Sequence, residues 1–163
     1  YFRRADQAGP EVGARVQELR AREIAAGYAD LAVYRAFGEK VARTKRNLLR
    51  FLIEAKEAGK RIAGYGAPGK GNTLLNYCGI RTDFLDFLVD RNPYKHGRFT
   101  PGTHIPIFGI EKVDEARPDY LVVMPWNLTA EITQQMRHVG EWGCRFVVAI
   151  PEVRVIDPRE LPA

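Results

Sequence analysis

From Arg61 onwards short apolar segments punctuate the chain, and they constrain its fold more tightly than any other feature. RIAGY (61–65), FLDFLV (84–89), a short stretch near 105–108, YLVVM (120–124) and RFVVAI (145–150) are all of strand length. Between them lie helical stretches near 72–77, 110–116 and 129–141. Strands that are apolar almost throughout have to be covered on both faces, as in a parallel sheet flanked by helices. The expectation is an α/β fold, Rossmann-like and doubly wound, with a mainly parallel five-stranded sheet that binds ligands at the carboxyl ends of its strands. Two N-terminal helices precede it. Val12, Val16 and Leu19 recur at helical spacing ahead of Gly27, and Phe37, Val41, Leu48, Leu52 and Ala55 mark one face of a longer helix. That helix closes at Gly59, where a left-handed cap fits. The expected organisation is a helical lead-in over 1–60 packed on the main domain, a ligand-binding domain over 61–150, and an irregular tail over 151–163 with Pro151, Pro158 and Pro162.

At 163 residues, 45% hydrophobic and 28% charged, the chain has the size and composition of one globular domain. No apolar run approaches the roughly 18 residues that span a bilayer, so no membrane partner is expected. The opening YFRRADQAGP has no apolar core of a signal peptide. A start at Tyr1 instead of Met reads as a piece of a longer protein. Cys78 and Cys144 lie far apart with no CxxC pairing, which suggests two reduced thiols in a cytoplasmic protein and no metal site. The net charge of +5 is spread through the helices without an aromatic-interleaved basic stripe, so nucleic acid is not an expected partner.

The chemistry concentrates in AGYGAPGKGN (63–72), which follows the first strand and opens a helix. Gly64-x-Gly66-x-x-Gly69 has the spacing of a dinucleotide fingerprint, and Gly71 adds a fourth glycine. A tight strand-to-helix turn needs residues that tolerate positive φ, and a phosphate needs backbone N–H groups without a Cβ in the way. The helix start adds partial positive charge and Lys70 a full one. A merely tight turn with no ligand is the competing reading.

Asp90 ends the second strand roughly twenty residues beyond the loop, where such folds place an acid on a ribose. It could equally cap the turn Arg91-Asn92-Pro93. The segment 90–104, DRNPYKHGRFTPGTH, gathers Asn92, Lys95, His96, Arg98, Thr103 and His104 as donors expected near the glycine loop. After the fourth strand, Trp126 can stack on a base or sugar with Asn127 bonding to it; alternatively Trp126 is hydrophobic filler and Asn127 a helix N-cap. No catalytic set stands out. There is no Ser-His-Asp order and no HExxH; His138 reads as a helix surface residue, and His96 and His104 are acid–base candidates by location alone.

Three segments in order, GYGAPGKGNTLLNYCGI, DRNPYKHGRFTPGTHIPI and VVMPWN, make the chain resemble the C-terminal domain of SAM-dependent sugar C-methyltransferases over roughly residues 10–155. The resemblance implies a Rossmann-like domain that holds a nucleotide-diphosphate sugar. Gly66, Ala67, Lys70, Gly71 and Asn72 would then surround the diphosphate or sugar, with Asp90 and the Asn92–His104 loop bordering the nucleotide. It also implies zinc-binding and SAM-binding domains upstream, with no cofactor bound by this chain and S-adenosylmethionine in the missing domain. The family's chemistry is proton removal beside a 4-keto group, followed by attack on the SAM methyl. The family's base belongs to the missing part, so the chain alone is expected not to methylate. The family more often has Ala at the position of Gly69, which makes the third glycine of the fingerprint incidental. Two other readings stay open: an NAD(P)-dependent oxidoreductase domain, which lacks a Tyr-Lys hydride-site pair, and a non-enzymatic nucleotide-binding module.

Overall fold

The computed structural model describes Arg4, Asp6, Gly9 and residues 13–161. Val12 and Pro162 lie outside the described residues. The chain divides into two compact units, Tyr1–Val41 and Ala42–Ala163.

In the first unit, α1 (Ala14–Ala25) buries none of its residues. Gly27 adopts φ +76°, ending the helix as its sequence suggested. Asp30 then accepts the Ala32 N–H at 2.8 Å and opens α2 (Leu31–Glu57). Val16, Leu19, Ile24, Tyr28, Leu31, Tyr34 and Phe37 are all more than half exposed, so this stretch has apolar residues at helical spacing without a core of its own.

The second unit takes over within α2, ahead of residue 60. Leu48, Leu52 and Ala55 are buried on the sheet, which is why residues 42–57 belong with it. Gly59, at φ +70°, lets the Lys60 N–H reach the Ala55 carbonyl at 2.9 Å and closes the helix. The elements that follow are β1 (Ile62–Tyr65), α3 (Gly69–Cys78), β2 (Leu88–Val89), β3 (Arg98–Phe99), β4 (Pro106–Phe108), α4 (Glu111–Ala116), β5 (Tyr120–Val123), α5 (Thr129–Gln135), β6 (Arg145–Val148) and β7 (Arg154–Ile156).

The sheet is mixed and has seven strands, in the order β3-β4-β2-β1-β5-β6-β7. The five expected strands form its centre, and every pairing among them is parallel. The expected count of five is corrected by one antiparallel strand at each edge: β3 on β4, and β7 on β6. Both were hidden in segments that read as loop. The two residues of β3 are exposed, so no buried face marks them in the sequence. The 151–163 tail is partly regular, with β7 followed by a 3₁₀ turn whose Pro158 is buried. The second strand is shorter than FLDFLV suggested, because Phe84 and Leu85 turn back to bond the Arg81 carbonyl.

Strand alternation divides the core in two. Ile62, Leu88, Val122, Met124 and Val147 face α2 and α3, whereas Ala63, Tyr65, Val89, Val123 and Phe146 face α4 and α5. Sequential strands run outward from β1 through β2 to β4, and the chain then crosses back to place β5 on the other side of β1. The loops after β1 and β5 therefore part at a topological switch point, where open α/β sheets form a ligand crevice.

Candidate functional site

The turn after β1 is shaped by its glycines in three different ways. Gly64 is packed shut: a Cβ there would come within 2.1 Å of Leu88 Cδ2. Gly66 has φ +84° and its N–H donates to the Val89 carbonyl at 2.6 Å, while a Cβ would lie 2.8 Å from the Pro125 ring. It is thus required by both backbone conformation and contact with the loop after β5. Gly71 brings α3 against β5, its missing Cβ 3.0 Å from Met124 Cβ. Gly69 has open space and no positive φ, so nothing within the protein requires a glycine there.

Asp90 secures this turn to the end of β2. Its Oδ2 accepts the Ala67 N–H at 2.8 Å and the Lys95 ammonium at 2.8 Å, and its Oδ1 accepts the Asn92 N–H at 2.9 Å. Lys95 also donates to the Ala67 carbonyl at 3.1 Å. Burial pushes the Asp90 carboxyl upward, but the hydrogen bonds from Lys95, Asn92 and Ala67 and the lysine charge outweigh it and hold the group below its ordinary value. Both oxygens face inward to the scaffold, so the clamp and turn-cap role is the one the geometry shows for Asp90. Asn92 accepts the Tyr94 N–H and caps the 3₁₀ turn that carries Lys95. His96 donates from Nε2 to the Asp90 carbonyl at 2.7 Å.

Lys70 lies in the first turn of α3 and is half-buried. Its Nζ bonds Asn127 Oδ1 and stands 4.6 Å from the centre of the Trp126 ring. Among the described residues it has no carboxylate partner. The bond from Lys70 to Asn127 thus joins the loops after β1 and β5. Asn127 is not the N-cap of α5, since that helix begins after Leu128 with no side-chain cap. Trp126 packs against both core clusters, the filler role of the two, and its ring also lies beneath the Lys70 cation. The α3 start has Pro68 at its N-cap and no capping side chain, leaving the N–H groups of Gly69, Lys70 and Gly71 without intrahelical acceptors. Asn72, one turn in, has a buried Oδ1 with no hydrogen-bond partner.

The structure therefore brings together Gly66, Ala67, Lys70, Gly71, Asn72, Trp126 and Asn127, with Asp90, Asn92 and Lys95 as the support beneath them. It does not bring His104 there. That residue, at φ +56°, is held by its N–H to the Thr100 carbonyl and lines an open groove of about 760 Å³ with Gly97, Arg98, Phe99, Thr100 and Pro101. Thr103 is buried, its hydroxyl 2.6 Å from that of Thr100, and it supports this loop. His138 pairs with Asp114 at 2.9 Å on the α4 side, apart from the glycine loop.

Two residues of the carboxyl edge escaped the sequence reading. Tyr65, the last residue of β1, has a buried hydroxyl with no hydrogen-bond partner. Arg91, after Asp90, reaches Gln135 Oε1 at 3.4 Å and Glu131 at 4.0 Å. A tyrosine inside an apolar strand and a basic residue directly after its neighbour's terminal acid were the available signals.

Among the described residues, no group of three or more His, Cys, Asp or Glu side chains is placed to hold a metal ion. The two cysteines lie in opposite core clusters, and burial raises Cys78 and pushes Cys144 up to about 12, keeping both as thiols. The acid at the end of β2, which would grip a ribose diol, already has acceptor bonds at both of its oxygens.

These features define an α/β domain with a glycine-rich turn and an uncapped helix start at a topological switch point. The chain belongs to the C-methyltransferase C-terminal domain family, whose sequence pattern matches residues 1–151. It is 37% identical over 150 residues to the C-methyltransferase NovU of Streptomyces niveus, an alignment covering 92% of this chain and 36% of that protein. The chain thus spans about a third of its relative's length. In three dimensions it has a distant likeness to the crystal structure of UDP-D-quinovosamine 4-dehydrogenase from Vibrio fischeri, with TM-score 0.44 and 14% identity over 60% of this chain and 93% of that one. Among the described residues no helix is long and apolar enough to cross a membrane.

Proposed function

We propose that this chain is the Rossmann-like, substrate-holding domain of a SAM-dependent C-methyltransferase, and that its ligand is a nucleotide-diphosphate sugar bound at the carboxyl edge of β1 and β5. Lys70 carries the reading. It is a half-buried ammonium in the first turn of α3, partnered by an amide and an indole, beside three N–H groups that have no intrahelical acceptor. A diphosphate offers what that set lacks, namely several anionic acceptor oxygens. Trp126 and Asn127 then border the sugar or base once Lys70 turns to the phosphate.

The substrate is a keto-deoxysugar nucleotide. SAM, bound by an upstream module next to a zinc-binding domain, supplies the methyl group, and the base that removes the proton beside the keto group belongs to that module too. This chain's residues bind and orient the nucleotide, and the isolated chain does not turn over. The buried thiols suit a reducing, cytoplasmic setting. Against an NAD site stand the engaged oxygens of Asp90 and the open space at Gly69.

The test is a thermal-shift and calorimetric titration of the chain with dTDP, a dTDP-sugar, NAD and SAM. A ligand at a hundred times its Kd stabilises by about 2.7 kcal/mol, a shift of several degrees at this size. The expected result is a response to the dTDP ligands, weakened about tenfold or more in Lys70→Ala through loss of a charge-assisted bond. A response to NAD alone would overturn the reading.

A further inference from the structure

Resting on the phosphate site just described, we infer that Arg91 and Tyr65 form its second jaw, on the α5 side of the end of β1, opposite Lys70 and the first turn of α3. Tyr65 is the last residue before Gly66, and strand alternation sends its ring to the α5 face among Val123, Ile132 and Met136. It is only 4% exposed, and its hydroxyl has no hydrogen-bond partner. A phenylalanine would fill the same space without leaving a polar atom unpaired, so the hydroxyl needs an explanation that packing does not supply.

Arg91 provides the context. It leaves the end of β2 beside Asp90, and its guanidinium extends to Gln135 and Glu131 on α5, the helix that follows β5. It therefore spans the end of β1, which lies between those two strands and ends in Tyr65. Its contacts are long, at 3.4 and 4.0 Å, and its side chain is 65% exposed, so they are readily exchanged for a better acceptor. The charge of Arg91 also reaches the Tyr65 phenol. Burial raises the phenol's pKa while Arg91 opposes the rise, and the group remains a protonated donor at neutral pH. A planar guanidinium matches two phosphate oxygens at once, and turning it onto a diphosphate brings acceptor oxygens to the side of β1 where the unpaired hydroxyl lies.

The experiment is calorimetry of the chain with dTDP and dTMP, alongside thermal melts, for the parent, Tyr65→Phe, Arg91→Gln and Lys70→Ala. Tyr65→Phe is expected to melt at the parental temperature or above it, yet to bind dTDP about three- to tenfold more weakly. Arg91→Gln is expected to lose about tenfold or more, and to narrow the preference for dTDP over dTMP. Parental dTDP affinity in both variants while Lys70→Ala is weakened overturns the second jaw and leaves the proposed function standing. A lowered melting temperature with unchanged affinity in Tyr65→Phe overturns the ligand role of the hydroxyl. No dTDP binding by the parent overturns the function and the second jaw together.

Discussion

Two lysines serve the same edge of the sheet and are used in opposite ways. Lys95 donates to the Asp90 carboxylate and the Ala67 carbonyl, so its charge is neutralised within the scaffold. Lys70 meets an amide and an aromatic face, and its charge is left for something else. The contrast separates residues that build the glycine turn from residues that the turn presents. Burial alone would not have made that separation, because both lysines are partly covered.

Breaking the scaffold side should cost the most. Gly66→Ala combines a positive φ with a 2.8 Å approach to the Pro125 ring, and is expected to lose about 3 kcal/mol, measured by denaturant unfolding. Asp90→Asn comes next, at about 2 kcal/mol, since Lys95 loses its charge partner and the Ala67 N–H its carboxylate. The sign of its pH dependence follows from the depressed native pKa. The Asp90 contribution is fully present above the unfolded value of about 4, and is lost as pH falls through the lower native value. An acid titration of stability should therefore be flatter in Asp90→Asn, and an unchanged acid limb would show that the carboxylate does not hold the turn.

The presenting side should respond differently. Gly69→Ala, at an open position with ordinary φ in the first turn of α3, is expected to be neutral or to stabilise by up to about 1 kcal/mol. A loss of dTDP affinity without a loss of stability there would show that the ligand, not the fold, needs that glycine.

The sequence revealed the parallel centre of the fold because those strands are buried on both faces and read as apolar runs. The edge strands were invisible for the same reason: Arg98 and Phe99 are exposed, and β7 has only Ile156 partly covered. Within the site, the glycine turn and Lys70 were legible from residue type and spacing. The role of Asp90 was not, because an acid at a strand end can face a ligand or its own loop, and only the Ala67 and Lys95 contacts distinguish the two. His104 was grouped with the glycine loop by adjacency in the chain. The turn through Thr100 and the short β3 and β4 pairing carry it to a separate groove.

An indole with an ammonium 4.6 Å from its ring centre reports optically on where that ammonium is. Only one other tryptophan is present, Trp142, which donates to the Pro118 carbonyl at the opposite, amino edge of the sheet. Whatever draws Lys70 away from Trp126 changes the emission of one fluorophore against the constant background of the other, so the molecule carries its own label beside the first turn of α3.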